Sequence, residues 1–385
     1  ISVEGQGRTM PTSIFFDFEA QDTVFGAAAN KAMIAGEEGR YMRALKSILG
    51  TSLMHEPRRM FGKSMTFVDI IARFLMHLKA AAEAQTGRCF DQAISGRPVH
   101  FHSADPARDA QAVKDLRQCY ERAGFKAVRF LYEPEAAALA RGASTGISLI
   151  VDIGGGTSDF SLFRAGKDGI DILASNGVRV GGTDFDRAIS MDRVMPLFGR
   201  GTNIRNLLGP GTLPAPVKIF RDLATWQMIP FLYTRDVRRE VEEMRKLAER
   251  PDRLARLAGV LEHHLGHEVA FAVESGKIDA NGNTPDARID LGMVEPRLGV
   301  DINGQQMALI LSEYAARIGH AAMATLDKAG LAPGDVDEVI HVGGSSLMAV
   351  VEDTMKAIFP DARMHRADAF TAVADGLAIA SAEGI

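Results

Sequence analysis

Only two cysteines, Cys89 and Cys119, and one tryptophan occur in the 385 residues of this chain. Two thiols give neither a disulfide framework nor metal-ligand spacing, so a disulfide-rich secreted scaffold is excluded and a reducing cytoplasm is expected. Both cysteines read as buried small apolar side chains. No apolar run reaches the about 18 residues that a membrane span needs. The apolar stretch 67–82 is interrupted by Asp69, Arg73, His77 and Lys79, so no membrane partner is expected. Charge of neither sign dominates: the formal net charge is -5, which argues against nucleic acid as a partner. Charged residues at 24% and apolar ones at 46% leave no room for long disorder, collagen or coiled coil. There is no internal repeat or low-complexity tract, and the length suggests two domains.

Glycine, by contrast, is placed with purpose. Residues 149–163 read LIVDIGGGTSDFSLF, an apolar strand, an acid, three glycines, a threonine, a second acid and a second apolar strand. Leu149, Ile150 and Val151 suit a buried strand, and Gly154, Gly155 and Gly156 suit a tight turn of bare amides, a concave donor set for anions. Asp152, at the end of the strand, is placed to face a hydrated cation carried by polyphosphate. Thr157 adds a hydroxyl and Asp159 a second carboxylate. An ordinary glycine hairpin needs no acid on each side, so a phosphate-holding turn is the better reading.

Strands and helices alternate along the chain, the pattern of α/β architecture. Residues 10–18 read as a strand and 41–49 as a short amphipathic helix; 67–84 has helical periodicity; 91–101 is a strand leading to a loop; Asp105-Pro106 opens a helix over about 107–123. A helix with Pro134 in its first turn and Gly142 as its stop carries the alanines of 136–140, and a second alanine-rich helix spans 371–382. Such faces permit close helix contact, useful where two lobes hinge across a cleft. Between Arg187 and Glu274 lies a mostly helical insertion, with Pro251 splitting its clearest part, 237–265, into two helices. His263, His264 and His267 fall there, with His263 and His267 on one helix face. Without HExxH order or a further ligand nearby they read as a solvated face, not a metal site. Residues 279–286 read as a loop and 287–300 as strand-rich.

Two further glycine turns stand at strand-to-helix junctions. Residues 180–186 read VGGTDFD, contributing Gly181 and Gly182 just before a helix. Residues 341–346 read HVGGSS, contributing Gly343, Gly344 and Ser345 between a strand over 339–342 and a helix over about 347–358. Helix N-termini favour negative charge, and close backbone approach to a ligand needs glycine. Two other phosphate motifs are ruled out. Gly62-Lys63-Ser64 ends like a P-loop, but Pro57 takes the place of its first glycine, and the dinucleotide fingerprint fails because Asp159 occupies the third glycine position.

Taken together, these residues resemble the actin-like ATPase superfamily and, within it, the 70-kDa heat-shock chaperones. DIGGGTSD (152–159) is similar to their second phosphate motif, EPEAAA (133–138) to the first connecting helix, GGTDFD (181–186) to a matching turn, and VGGSS (342–346) to the adenosine motif. The long helical insertion, and a chain ending at the second connecting helix, look more like the shorter YegD-type relatives. The resemblance implies a two-lobed fold, each lobe a mixed sheet flanked by helices, with ATP or ADP and magnesium between them. Residues 1–147 with 370–385 would form the first lobe, its N-terminal strands missing, and 148–369 the second, carrying the helical subdomain 187–274. It implies roles residue by residue. Lys46 is similar to the lysine facing the γ-phosphate; Glu133 helps order the metal, through water, and the attacking water; Asp152 lies near the magnesium shell; Thr157 lies near the γ-phosphate. Glu274 and Lys277 resemble the pair lining ribose and base.

Three departures qualify the resemblance. A first phosphate motif, a strand with acid, glycine and threonine, is expected upstream of Ile1. Leu347 stands where the chaperones have an arginine stacking on adenine, and Ile278 replaces another basic residue, so the base pocket is more apolar. A β-sandwich peptide-binding domain, expected after Ile385 in those chaperones, is not expected in this protein. The expectation is an ATP-binding chaperone relative, with slow magnesium-dependent hydrolysis driving lobe opening and closing, and with client or co-chaperone proteins as partners besides nucleotide. Two rival readings are a filament-forming actin relative such as MreB, with which 368–376 (DAFTAVADG) shares its texture, and a small-molecule kinase of the same superfamily. The kinase has no marker in the sequence, and the bulky insertion argues against tight protofilament contacts.

Overall fold

The computed structural model describes residues 1–385 except 6, 44, 103–104, 142–145, 167–168, 207–208, 283, 367–370 and 384–385. Near its start, β1 (Ser13–Asp17) lies between β2 (Asp22–Phe25) and β3 (Gly39–Arg43), antiparallel to both, with α1 (Gly26–Ile34) against them. Both faces of β1 are buried. Phe15 packs with Ala29 and Ala32 of α1, while Ile14 and Phe16, on the opposite face, join a larger core with Met54, Ile70 and Phe74.

The segment 41–49 is not the helix its spacing suggests. Tyr41 and Met42 are paired with Phe15 and Ile14 in the sheet, and only Leu45–Ile48 turns, as a 3-10 helix. Gly50 then takes a positive φ of 76°, closed to helix continuation. Sheet pairing wins because so short a helix has no nucleus of its own.

A tight hairpin of β4 (Arg58–Met60) and β5 (Lys63–Met65) comes next, with Phe61 and Gly62 both at positive φ at its tip, so the Gly-Lys-Ser run belongs to a turn of the primed type. Helix α2 (Phe67–Thr86) has a capping box between Thr66 and Asp69 and ends on left-handed Gly87. Then β6 (Gln92–Arg97), α3 (Pro106–Arg122, capped by Asp105) and β7 (Ala127–Tyr132) form a βαβ unit with β6 and β7 parallel. Helix α4 (Glu133–Arg141) starts directly after β7; Gly142, its expected stop, lies outside the described residues.

The second sheet is built from β8 (Gly146–Ile153), β9 (Ser158–Gly166) and β10 (Gly169–Val178), an antiparallel meander. After α5 (Gly182–Ile189), a π turn (Ser190–Val194) and a 3-10 turn (Met195–Phe198) come the hairpin β11 (Asn203–Arg205) and β12 (Thr212–Pro214), α6 (Val217–Leu223), a 3-10 turn (Trp226–Leu232), α7 (Arg235–Leu247), α8 (Pro251–Glu262) and α9 (Gly266–Asn281). Pro251 occupies the first turn of α8, as its fixed φ favours. Helix α9 runs into the stretch expected to be loop, and 287–300 holds only the short strand β13 (Arg288–Asp290) and the start of β14 (Gly299–Asp301). Beyond α10 (Gly304–Ile310) and α11 (Ser312–Ala329), β15 (Glu338–Val342) joins β8 in parallel. A 3-10 turn (Gly344–Leu347) precedes α12 (Ala349–Ile358), β16 (Arg363–Arg366) extends the sheet, and α13 (Ala372–Glu383) closes the described chain.

The sheet order is β10-β9-β8-β15-β16. Residues Leu149, Ile150 and Val151 and their partners Val339, Ile340 and His341 are buried, as central parallel strands covered on both faces must be. Apolar side chains gather into two main cores, one around Phe16, Met54 and Ile70 and one around Phe160, Phe185, Phe198 and Phe220. This is the two-lobed, mixed α/β, actin-like ATPase fold. Among the described residues no helix is long and apolar enough to cross a membrane. The cysteine expectation holds for Cys119, whose thiol burial pushes up to about 12, and fails for Cys89, which is exposed.

Helices α4 and α13 cross at their small residues. Gly376 lies against the main chain of Ala136 with no space for a side chain, and Gly96 of β6 lies under Val373 and Glu133. The alanine-rich faces therefore meet, as their composition suggested. Of the 368–376 stretch likened to filament proteins, 368–370 lie outside the described residues.

Candidate functional site

The three glycine turns converge where β8 and β15 end. The turn joining β8 to β9 is closed by Gly154 N–H donating to the Thr157 carbonyl at 2.9 Å. Its carbonyls are used by the second turn: Gly182 N–H donates to Gly154 O at 3.0 Å, and Thr183 donates to Gly155 O from its amide at 2.8 Å and its hydroxyl at 2.7 Å. A Cβ on Gly181 would fall 2.5 Å from Gly156 N, so the two backbones touch. The third turn closes on the same point, for a Cβ on Gly343 would fall 2.7 Å from Ile153 O and 2.9 Å from Asp152 Oδ1. Ser345 lies against Gly182.

The backbone amides here divide into two sets with different uses. Those of Gly181, Gly182 and Thr183 are consumed internally, Gly181 by the Asp184 carboxylate at 3.1 Å. Gly181 and Gly182 stand where a helix begins, as expected, being the cap and first residue of α5, and they also brace the first turn. By contrast, the amides of Gly155, Gly156 and Thr157 have no acceptor among the described residues, and all three residues are exposed. Three adjacent free N–H groups on a turn form an anion-binding concavity.

Opposite them stand an ammonium and three carboxylates. Lys46 Nζ donates to both oxygens of Glu133, at 2.8 and 3.0 Å, joining the 3-10 turn before Leu49 to the start of α4. The lysine side chain is 56% exposed, at the open side of the site. Burial would lower its pKa, but Glu133, with Asp152 and Asp159 behind it, raises it above the ordinary value. Asp152 and Asp159 are paired across β8 and β9. Burial, then the Glu133 charge, pushes Asp152 up to about 7 against the pull of Lys46. Burial likewise raises Asp159, with Lys46 and the Thr157 hydroxyl, 3.3 Å away, opposing it. Glu133, Asp152 and Asp159 line a cavity of about 20 Å³, room for about one water, with Pro98, Val99 and Val342.

Three carboxyl groups against one lysine form an acidic site that a cation would relieve. Among the described residues no group of three or more His, Cys, Asp or Glu side chains is close enough together to hold a metal ion directly.

A family model described as Hsp70 protein matches residues 52–206 and 275–383. The chain belongs to the Hsp70 family. Membership implies nucleotide binding, and the match takes in Glu133, all three glycine turns and Lys277, while Lys46, Glu274 and most of the helical insertion fall outside it.

On the Hsp70-type adenosine side, the placement of side chains is mixed. Glu274 is half-buried on α9, and Lys277 is 6% exposed and holds Asp186 of α5 at 2.8 Å, so its ammonium braces α5 against α9. Burial raises the Asp186 carboxyl, and Lys277 opposes it. Ile278 is 59% exposed, and one turn on, Asn281 donates to Leu347 O at 3.1 Å and accepts from Ala349 N–H at 2.8 Å. Asn281 thus ties α9 to the turn that carries Leu347.

The histidines do not form the shared face expected of them. Helix α8 ends at Glu262, His264 has a positive φ of 56° and stacks on Tyr233, and His267 belongs to α9. His267 is also no solvated residue: it packs on Trp226 with ring centroids 4.6 Å apart, and burial pushes it down to about 4, hence neutral. Trp226 matters for a second reason. Its ring carries the guanidinium of Arg43, from β3, 4.2 Å from the centroid, tying the first sheet to the helical insertion. Sequence reasoning misses this pair, whose members are far apart in the chain and carry no motif.

Proposed function

We propose that the chain binds ATP or ADP with magnesium in the cleft between a first lobe of 1–147 with 370–385 and a second of 148–369, and hydrolyses ATP slowly. The observation that carries this reading is the set of three unengaged amides, at Gly155, Gly156 and Thr157, beside the Lys46, Glu133, Asp152 and Asp159 cluster. The amides and the Thr157 hydroxyl hold phosphoryl oxygens. Lys46, kept charged by Glu133, stabilises negative charge that develops on the γ-phosphoryl group. Asp152 and Glu133 would hold the cation through its water; they orient the attacking water and take its proton as its oxygen bonds to the γ-phosphorus and the bond from that phosphorus to the bridging oxygen of ADP breaks. Magnesium, when bound, neutralises phosphate charge and polarises the phosphoryl group. Asp152, ionised beside a cation, would lose the proton its raised pKa otherwise retains.

Gly343, Gly344 and Ser345 line the adenosine side together with Glu274, with Ile278 and Leu347 as apolar walls in place of cationic ones. Such a pocket selects the base more weakly than a cation-walled one. Movement of the lobes about α4 and α13 is the output, coupled to client or co-chaperone proteins as in other chaperones of the family, with the shorter YegD-type relatives as the nearer analogy. Free thiols at Cys89 and Cys119 suit the cytoplasm.

The test is single-turnover phosphate release from ATP with and without Mg²⁺. A slow, magnesium-dependent release lost in Lys46→Ala supports hydrolysis at this site; release that is absent, or unaffected by the substitution, contradicts it.

A further inference from the structure

Lys46 is carried by the four-residue 3-10 turn Leu45–Ile48. The chain immediately beyond that turn is firmly fixed. The amide of Gly50 donates to Asp115 Oδ2 at 2.9 Å, and the carbonyl of Leu49 accepts from His102 Nε2 at 2.7 Å. A Cβ at Gly50 would overlap the carbonyl oxygen of Arg108, so this backbone lies directly on α3. Leu45 and Leu49, on either side of Lys46, are 5% and 3% exposed.

Asp115 is the centre of this attachment. It is 0% exposed, yet touches none of the groups around the phosphate turn. Its other oxygen accepts from Gln111 Nε2 at 2.7 Å and meets His55 Nε2 at 3.0 Å. Burial of a carboxylate is costly unless its lone pairs are all engaged, and an apolar residue at this place would fill the core at lower cost. Three donors from three places, the Gly50 backbone, α3 itself and the Ser52–His55 turn, meet on one carboxylate. Such a group restricts the chain to one geometry.

We infer that Asp115, assisted by His102, is the positioning residue of Lys46: through Gly50 and Leu49 it fixes the turn from which the ammonium reaches Glu133. Its consequence for turnover rests on the reading of Lys46 proposed above, whereas its consequence for Lys46 itself does not.

The experiment therefore has two readouts. The first is reductive methylation of Lys46 at limiting reagent, quantified by mass spectrometry, in the wild-type chain, Asp115→Ala and Asp115→Asn. Held against Glu133, the amine reacts slowly. Asp115→Ala raises its labelling several-fold, while Asp115→Asn, whose amide oxygen still accepts from Gly50 N–H, stays close to wild type. The second is single-turnover hydrolysis, where Asp115→Ala slows the step about ten- to a hundred-fold, the scale of a displaced catalytic group. Nucleotide affinity changes little, and Asp115→Ala adds nothing in a Lys46→Ala background. Unchanged Lys46 labelling in folded Asp115→Ala overturns the inference. If Asp115→Ala does not fold, His102→Ala removes the Leu49 contact alone: raised labelling supports the inference and wild-type labelling overturns it. A Lys46→Ala chain with the wild-type rate would contradict the proposed hydrolytic role instead, and the labelling would still decide the positioning.

Discussion

Gly376 of α13 faces Ala136 of α4 so closely that a Cβ at Gly376 would overlap the Ala136 carbonyl oxygen. Helices α4 and α13 thus touch backbone to backbone, a contact only glycine permits. Gly376→Val should destabilise the chain by about 1–3 kcal/mol or more, the usual scale of overpacking. Gly259 gives the control, since it lies within α8 and a Cβ there meets nothing within 4 Å. Gly259→Ala should stabilise by up to about 1 kcal/mol through helix propensity. Denaturant unfolding of both variants checks the pair.

The glycines of the phosphate turn should separate by function. A Cβ on Gly155 or Gly156 meets nothing within 4 Å, whereas one on Gly181 meets the Gly155–Gly156 backbone. Gly156→Ala should leave the unfolding midpoint nearly unchanged and weaken nucleotide binding about ten-fold, because the added methyl stands in the open space beside the amides and keeps the phosphate from its full hydrogen-bonding approach. Gly181→Ala should lose stability as well as affinity. Thermal melts beside nucleotide titrations distinguish the two.

Asp152 sets a pH dependence. Its carboxyl rises from 3.8 to about 7, first through burial and then through Glu133. In that window the native chain binds a proton that the unfolded chain has lost, so the contribution of Asp152 to stability falls as pH rises from 3.8 to about 7. Asp152→Asn removes this penalty. Its midpoint should exceed that of wild type at pH above about 7 and converge with it toward the lower end of the window, read in melts without nucleotide.

The Arg43–Trp226 stack should slow the opening of the cleft. A cation over an aromatic face is worth about 0.5–2 kcal/mol, so Arg43→Ala should speed release of a fluorescent nucleotide by about two- to thirty-fold in stopped flow. An unchanged release rate would place the stack outside the opening motion.

Much of this architecture is legible in the sequence, for identifiable reasons. β8 and β15 are central strands buried on both faces, so Leu149–Val151 and Val339–Ile340 appear as apolar runs, and the glycines just beyond the strands mark the turns. Capping residues at Thr66 and Asp105 mark the starts of α2 and α3. The Lys46 segment is misread because residues 41–49 have helical spacing, while pairing of Tyr41 with Phe15 is a long-range fact. The pairing of Lys277 with Asp186, ninety-one positions earlier in the chain, is likewise a long-range fact that its local pattern does not show. The division of amides between turn-bracing and free groups also depends on contacts that no local motif encodes.

The central claim is that the free amides of residues 155–157 and the acidic cluster beside them form one site for magnesium-bound nucleotide. Isothermal calorimetry of the chain with ATP and Mg²⁺ near pH 7, repeated in two buffers of different ionisation enthalpy, tests it most directly. The account predicts saturable binding whose heat depends on the buffer, because cation binding ionises Asp152 and releases its proton, and predicts that this dependence disappears in Asp152→Asn. An absence of saturable heat with magnesium present would contradict it.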